Sequence, residues 1–136
     1  MRSVSLLLPL VFGSALVGCS TGPSPRSPNA RAHLEQILAG KVAQAPIDCL
    51  HRSSSSDMMV IDDHTILFRE GRRVYRNDLA GGSCPGLATG NILVTRQFGG
   101  QGLCRGEIAH VISPGSGMTV GSCVMGDFVP YTPAGG

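Results

Sequence analysis

The fold is decided by residues 58–77, MMVIDDHTILFREGRRVYRN, where three short runs rich in β-branched and aromatic residues are separated by two polar breaks. The first break is DDH at residues 62–64, and the second is EG at residues 70–71. Asp and Gly are typical of hairpin turns, whereas β-branched and aromatic residues are typical of strands. The stretch therefore predicts a three-stranded antiparallel meander made of two consecutive hairpins.

The second hairpin also predicts which side chains share a face. A two-residue turn at residues 70–71 would place Leu67 opposite Val74 and Ile66 opposite Tyr75. Leu67 and Val74 would then share one face, while Ile66, Phe68 and Tyr75 would share the other. Because both faces are partly apolar, we expect the sheet to belong to a small barrel or sandwich that covers it.

The rest of the chain predicts one small, mostly-β antiparallel domain over residues 30–132. Glycine and proline are concentrated between strand-like runs, and further strands are expected at residues 49–52, 92–98, 107–112 and 119–125. The closing segment, GDFVPYTPAGG at residues 126–136, is expected to be a connection that ends in a flexible tail at residues 133–136.

One short helix is expected at the start of this domain. Asn29 is a suitable N-cap, and Leu34, Ile37 and Leu38 then recur at helical spacing. Gly40 supplies a stop signal. A helix of about ten residues is too short to persist alone, so we expect its apolar stripe to pack on the sheet.

The first eighteen residues have the composition of an export signal. Arg2 precedes an apolar run from Val4 to Val17 that is shorter than the roughly 18 residues of a membrane span. Residues 16–19, LVGC, resemble the lipobox of bacterial lipoproteins, in which a leucine and two small residues precede a cysteine. The resemblance implies a signal peptide at residues 1–18 that is removed, and acyl chains on Cys19. The alternative is an ordinary signal peptide followed by an unmodified cysteine.

Residues 19–29, CSTGPSPRSPN, predict an extended tether, because serine and proline predominate and no large apolar residue is present. Ser20 stands where lipoproteins retained at the inner membrane usually carry Asp. The lipoprotein resemblance therefore implies an outer-membrane anchor with the domain facing the periplasm, and inner-membrane anchoring or secretion are the alternatives. Two or more acyl chains, at about 0.8 kcal/mol for each buried methylene, make such anchoring effectively permanent.

Four cysteines remain once Cys19 is assigned to lipid, namely Cys49, Cys84, Cys104 and Cys123. An even number in an exported chain predicts two disulfides. None has the Cys-x-x-Cys spacing of a zinc ribbon or a thioredoxin-like site. Of the three possible pairings we favour Cys84 with Cys104 and Cys49 with Cys123, because the second bridge would tie the first β segment to the last.

Residues 62–64 are the first candidate for chemistry. Asp62 and Asp63 could share a proton or hold a divalent cation, and His64 could act as a base. The two carboxylates, with Asp78 and either His64 or His110, define an alternative function, a small periplasmic hydrolase or metal-dependent enzyme. The structural interpretation is that a hairpin turn requires Asp to bond the nearby backbone. No catalytic or cofactor motif accompanies the turn, so we expect no catalysis, no metal and no cofactor.

A weaker third possibility is the binding of copper or another heavy metal by Met58, Met59, His51 and His64. Such a site requires the four side chains to converge. The structural interpretation is that the two methionines begin a strand and act as adaptable core filler.

The second candidate is a cluster of four cations within eight residues, Arg69, Arg72, Arg73 and Arg76. It predicts a basic surface for lipid phosphates, peptidoglycan carboxylates or an acidic envelope protein, with solvated strand positions as the alternative. The whole chain carries a net charge of only +2, and removal of Arg2 with the signal leaves +1. This balance is not that of a nucleic-acid-binding protein.

Four segments together resemble a known group of proteins: residues 60–79, VIDDHTILFREGRRVYRNDL; residues 84–87, CPGL; residues 103–104, LC; and residues 121–131, GSCVMGDFVPY. They resemble small exported bacterial proteins with a domain of unknown function, many of them short lipoproteins. The resemblance covers most of residues 47–131, includes all four domain cysteines and implies a cysteine framework around a hairpin-rich domain, but it brings no catalytic residue, ligand or partner. The sequence thus predicts a membrane-anchored envelope lipoprotein that acts as a structural or binding module.

Overall fold

A computed structural model of the chain describes residues 25–51, 53–54, 57–96, 100 and 102–135. Strands dominate this part, and the expected mostly-β class with one N-terminal helix is confirmed. The elements are α1 (Pro28–Leu38), β1 (Lys41–Ala43), β2 (Cys49–Leu50), β3 (Met58–Val60), β4 (Thr65–Glu70), β5 (Arg73–Asp78), a short 3-10 helix (Leu87–Thr89), β6 (Ile92–Thr95), β7 (Leu103–Cys104), β8 (Ile108–Ile112), β9 (Thr119–Val124) and β10 (Phe128–Pro133).

The described strands form three antiparallel sheets. The largest has five strands in the order β1-β10-β5-β4-β3, the second has the order β6-β8-β9, and the third pairs β2 with β7. The two larger sheets enclose one core, which receives Phe68 and Phe128 from the first sheet and Ala109 and Val111 from the second. Within the described residues the sheets do not close into a barrel, so the barrel alternative is wrong and the arrangement is sandwich-like.

The β4–β5 hairpin confirms the predicted faces but not the predicted turn. Gly71 and Arg72 form the turn, so Leu67 pairs with Arg76 rather than with Val74. The register differs by two residues from the expected one, and because side chains alternate with a period of two, the same residues still share each face. Gly71 has a φ of 58° while Arg72 keeps a negative φ. That combination is typical of a type II′ turn.

Helix α1 covers the face of the five-stranded sheet that points away from the main core. Leu34 is buried there against Leu67 and Val74, so the predicted packing of the helix on the sheet is confirmed. The helix begins earlier than expected, because the Oγ atom of Ser27 accepts the N–H of Ala30 at 3.2 Å. Serine followed directly by proline is the stronger start signal, and it overrides Asn29 as the N-cap.

The closing segment is a strand rather than a connection. β10 lies between β1 and β5 and continues to Pro133, one residue past the expected end of the domain. The carbonyl of Pro130 accepts the N–H of Gln44 at 2.7 Å, just after β1 ends at Ala43. In an antiparallel strand the N–H and C=O of one residue point to the same neighbouring strand. The N–H that Pro130 lacks would therefore have pointed to the β1 side, beyond the end of β1. Pairing with β5 therefore continues across Pro130, which lies opposite Tyr75.

Two disulfides are present as expected, but the favoured pairing is wrong. Cys49 is bonded to Cys104, and Cys84 to Cys123. The first bridge joins residues that lie directly opposite each other on β2 and β7. The second joins the loop after β5 to the core-facing side of β9. The expected bridge from Cys49 to Cys123 does not form because Cys104, directly opposite Cys49 on the paired strand, is its partner instead.

No helix of the described segments is long and apolar enough to cross a membrane. The predicted signal peptide, Cys19 and the tether as far as residue 24 lie outside the described residues. The expected strand positions 52 and 97–98 lie outside them as well.

Candidate functional site

The four clustered arginines do not form one surface. Arg69 and Arg76 lie on the helix side of the β4–β5 hairpin, Arg73 lies on the opposite side, and Arg72 occupies the turn. Successive side chains of a strand point to opposite faces, so a run of arginines along a hairpin is divided between those faces. The surface around each arginine therefore depends on what the fold brings beside it.

A concave site at the hairpin tip, which we call the basic hollow, has a volume of about 490 Å³. It lies between the end of α1, the start of β1, the hairpin and the end of β10. Among the described residues that line it, the charged ones are Lys41, Arg69 and Arg72, and none is a carboxylate. The full lining comprises Ile37, Ala39, Gly40, Lys41, Arg69, Gly71, Arg72, Val74 and Pro133.

The cations of the basic hollow differ in how far they are already engaged. Lys41 donates from Nζ to the carbonyl of Ile37 at 2.9 Å and so neutralises the negative end of α1. Arg69 donates from Nη2 to the sulfur of Met59 at 3.7 Å. In the described part of the chain neither Arg69 nor Arg72 is ion-paired with a carboxylate. Their guanidinium groups are therefore free to bind an anion.

Sequence reasoning missed Lys41 as a member of this site. The segment that contains β2 and β3 separates Lys41 from the arginine cluster in the sequence. The fold joins them because β1 pairs with β10, which in turn pairs with β5. The pairing of Lys41 with Pro133 fixes the position of the lysine. Only recognition of the closing segment as a strand could have predicted this neighbourhood.

Arg76 belongs to a different cluster at the other end of the hairpin. Its Nη2 atom lies 2.9 Å from Oδ2 of Asp78. The buried hydroxyl of Thr65 donates to the same carboxylate at 2.6 Å and accepts a hydrogen bond from Arg26. Arg76 therefore neutralises Asp78 instead of contributing to the basic hollow.

Asp62 holds the N-terminal segment onto the domain. Its Oδ2 atom is 2.5 Å from Nε of Arg26, and its Oδ1 atom accepts the N–H groups of His64 and Thr65 at 2.9 and 2.8 Å. Burial alone would raise the pKa of Asp62, but the hydrogen bond and charge of Arg26 and the two backbone donors outweigh it and lower the pKa. The carboxylate is fully engaged in turn formation and in the ion pair.

Asp63 and His64 secure the loop that follows β5. Oδ1 of Asp63 accepts the N–H of Ala88 at 2.7 Å, and its carbonyl accepts the N–H of Cys84 at 2.6 Å. The Nδ1 atom of His64 is hydrogen-bonded to the carbonyl of Gly82. The DDH turn thus carries the backbone contacts that its structural interpretation requires, and its three side chains contact different partners.

The remaining residues of the enzyme and heavy-metal alternatives lie apart. His110 is on β8 in the three-stranded sheet, whereas Asp62 and Asp78 flank β4 and β5 in the five-stranded sheet. Met58 and Met59 begin β3, as their interpretation as strand residues predicts. Among the described residues, no group of three or more His, Cys, Asp or Glu side chains is placed to hold a metal ion.

A second concavity, which we call the mixed hollow, lies on the other side of the hairpin tip and has a volume of about 620 Å³. Its lining residues are Glu70, Arg72, Arg73, Thr132 and Pro133. It therefore contains charges of both signs. Arg72 and Pro133 line the basic hollow as well, so the two concavities meet at these residues.

The outward face of the three-stranded sheet is a third distinctive surface. Ile92, Val94 and Ile108 are 52%, 43% and 58% exposed there. A concavity of about 390 Å³ at one end of this face includes Arg96 and His110. Nothing in the described residues covers these apolar side chains.

Comparison of the chain with models of known protein families, with curated proteins and with solved structures finds no match. The similarity to small exported lipoproteins of unknown function therefore remains an expectation from the sequence.

Proposed function

We propose that this protein is a lipid-anchored bacterial envelope protein without catalytic activity, whose basic hollow binds an anionic polymer of the envelope. The observation that carries the proposal is the convergence of Lys41, Arg69 and Arg72 on one concave surface whose described lining includes no carboxylate. The LVGC motif and the serine- and proline-rich segment that follows it support the anchor.

The chemistry of the basic hollow suits a carboxylate or phosphate group on a larger body. Guanidinium groups present planar, forked donors that match either anion in a bidentate arrangement. Ile37, Val74 and Pro133 supply an apolar floor beside them. A ligand therefore gains charge-assisted hydrogen bonds at one end and apolar contact along its body.

The basic hollow lies at the end of the domain opposite the point where the chain enters. Arg26 is bound at the start of α1, whereas Ile37 near the end of α1 lines the hollow. Eleven helical residues cover about 16 Å. If Cys19 is lipidated, the chain from Cys19 to Arg26 spans at most about 25 Å. This arrangement allows the hollow to face away from the anchoring bilayer, where it can reach a polymer such as peptidoglycan.

The anchor is tested by non-reducing peptide mapping of protein purified from membranes, with mass spectrometric detection. We expect an acylated Cys19 peptide together with the Cys49–Cys104 and Cys84–Cys123 linked pairs. An unmodified Cys19 in membrane-purified protein would contradict the proposed anchor. It would leave the binding proposal to be judged separately.

Binding is tested by co-sedimentation of the full-length, detergent-solubilised protein with purified peptidoglycan sacculi. Arg72→Glu is expected to lower the apparent affinity for sacculi about tenfold, because it removes a charge-assisted contact and adds a repulsive charge. The matched control is Arg31→Glu, which makes the same charge change at an exposed position on α1, outside the lining of both hollows. Equal binding by both variants would sink the proposal, and capture of an acidic envelope protein instead of sacculi would redirect it.

A further inference from the structure

We propose that the basic hollow and the mixed hollow form one composite site for a peptide that carries free carboxylates and one free ammonium group. This inference rests on the proposed function and adds the chemical class of the ligand. An uncross-linked stem peptide of peptidoglycan has this chemistry.

The two hollows adjoin at the hairpin tip. Arg72 and Pro133 belong to the linings of both, so a ligand in one hollow that extends past these two residues reaches the other. Together they extend from the end of α1 to Glu70 and Arg73 on the opposite side of the hairpin. An extended peptide, at about 3.3 Å per residue, reaches both with a few residues.

The charges of the two hollows differ in a way that selects between ligands. The charged residues that line the basic hollow are cations, whereas the mixed hollow contains the carboxylate of Glu70 beside Arg72 and Arg73. A simple polyanion gains at the basic hollow but meets a like charge at Glu70. A ligand that carries an ammonium group two or three residues from its carboxylates is complementary to both.

Two hydroxyl groups fix the position of the Glu70 carboxylate. Its Oε1 atom accepts the hydroxyl of the buried Ser54 at 2.6 Å, and its Oε2 atom accepts the hydroxyl of Tyr75 at 2.9 Å. The Tyr75 oxygen in turn accepts a hydrogen bond from Nη1 of Arg73 at 3.2 Å. The hydrogen bonds from Ser54 and Tyr75 lower the pKa of Glu70 and keep it ionised.

The geometry leaves Glu70 with unused acceptor capacity. Each carboxylate oxygen has two lone-pair directions, and the two hydroxyl groups use one on each oxygen. Glu70 is exposed although both of its hydroxyl donors, Ser54 and Tyr75, are buried. The carboxylate is therefore presented to solvent in a fixed position, where an ammonium group, with three donors, can bind it.

The test uses the wild-type, full-length protein and two forms of one ligand, so it does not depend on a variant that folds. Isothermal titration calorimetry compares monomeric muropeptides that carry a free side-chain amine with the same muropeptides after acetylation of that amine. We expect acetylation to weaken binding about fivefold, as for loss of an exposed ion pair. In Glu70→Gln the two forms are expected to bind equally, whereas Tyr75→Phe, which keeps the charge, retains the preference.

The outcomes separate this inference from the proposed function. If acetylation leaves the wild-type affinity unchanged while Arg72→Glu still weakens binding, the composite site is wrong and the anion site stands. If neither muropeptide binds while sacculi still retain the wild-type protein, the composite site is wrong and the anion site stands; if sacculi do not retain it either, both proposals fail. Inorganic phosphate has no group that could bind Glu70. If it displaces the protein from sacculi as effectively as the muropeptide does at the same concentration, the composite site is likewise wrong.

Discussion

The two faces of the five-stranded sheet support cores of very different size. On the inner face, Phe68 and Phe128 belong to a cluster of thirteen buried residues that also includes Cys84 and Cys123 of one disulfide. On the outer face, Leu67 belongs to a cluster of five buried residues beneath α1. Leu67 and Phe68 are neighbours in sequence, so adjacent positions on one strand serve different cores.

The difference in size indicates which of the two cores contributes more to the free energy of unfolding. Hydrophobic stabilisation scales with the apolar area removed from water, so the larger inner cluster should dominate the free energy of unfolding. The helix-side cluster is small, and α1 is fastened at its start by the Arg26–Asp62 ion pair. Substitutions on the two faces can therefore be compared directly in one protein.

The largest effect is expected from removal of the disulfide in the inner core. Cys84→Ala with Cys123→Ala opens a loop with a sequence separation of 39 and leaves a cavity among buried residues. Loss of the bridge should cost about 4 kcal/mol in the chain-entropy model, and the cavity adds to this. Urea unfolding measures the change.

The matched control is Cys49→Ala with Cys104→Ala, whose sequence separation of 55 gives nearly the same loop term of about 4 kcal/mol. Both of these cysteines are only half-buried, so little cavity cost is added. If this pair proves more destabilising than Cys84 with Cys123, the inner cluster does not have the dominance that its size indicates.

A smaller but still large effect is expected from Phe128→Ala. Phe128 is fully buried, and its ring centroid lies 5.8 Å from that of Phe68 at an interplanar angle of 59°. Truncation of a buried phenylalanine costs about 3–5 kcal/mol. That is a large part of the 5–15 kcal/mol typical of a domain's stability. A loss below about 1.5 kcal/mol in urea unfolding would show that β10 contributes little to the inner core.

The helix-side face should be less sensitive. Leu34→Ala removes the main apolar contact of α1, and we expect a loss of about 2–3 kcal/mol, near the lower end for buried leucine, because the site lies at the surface of the domain and can collapse. Urea unfolding of this variant beside Phe128→Ala compares the two faces directly. Equal losses would mean that α1 is as much a part of the core as the second sheet.

The part of the fold that the sequence predicted is the part set by local alternation. The residues that share each face of the β4–β5 hairpin were predicted correctly although the turn was misplaced, because a shift of two residues preserves the faces. The leucine and isoleucine spacing of α1 predicted its contact with the sheet for the same reason. A short-range period needs no knowledge of distant partners.

What the sequence did not predict depends on distant pairing. The disulfide pairing follows from β2 lying beside β7, and the basic hollow requires β1 beside β10. Two prolines in GDFVPYTPAGG concealed β10, because a proline argues against a strand unless its missing donor falls where no partner strand runs. Arg72 could be chosen from the sequence as part of the proposed binding site, but Lys41 and the separation of Arg76 could not.

The smallest effect is expected at the ion pair that fastens the start of α1. Asp62→Asn keeps the acceptor for the turn but removes the charge opposite Arg26, and we expect a loss of about 1–2 kcal/mol at pH 7.

Because the folded state lowers the pKa of Asp62, its contribution is complete above the pKa of the unfolded chain, about 3.9, and is lost as the pH falls through the lower folded value. The difference between wild type and variant in urea unfolding should therefore be constant from pH 7 to about pH 5 and vanish at lower pH. Asp57→Asn, the same change at an exposed position, is the matched control for the stability difference at pH 7. Arg26→Ala combined with Asp62→Asn should cost less than the sum of the two single changes, and strict additivity would show that the pair does not fasten the helix.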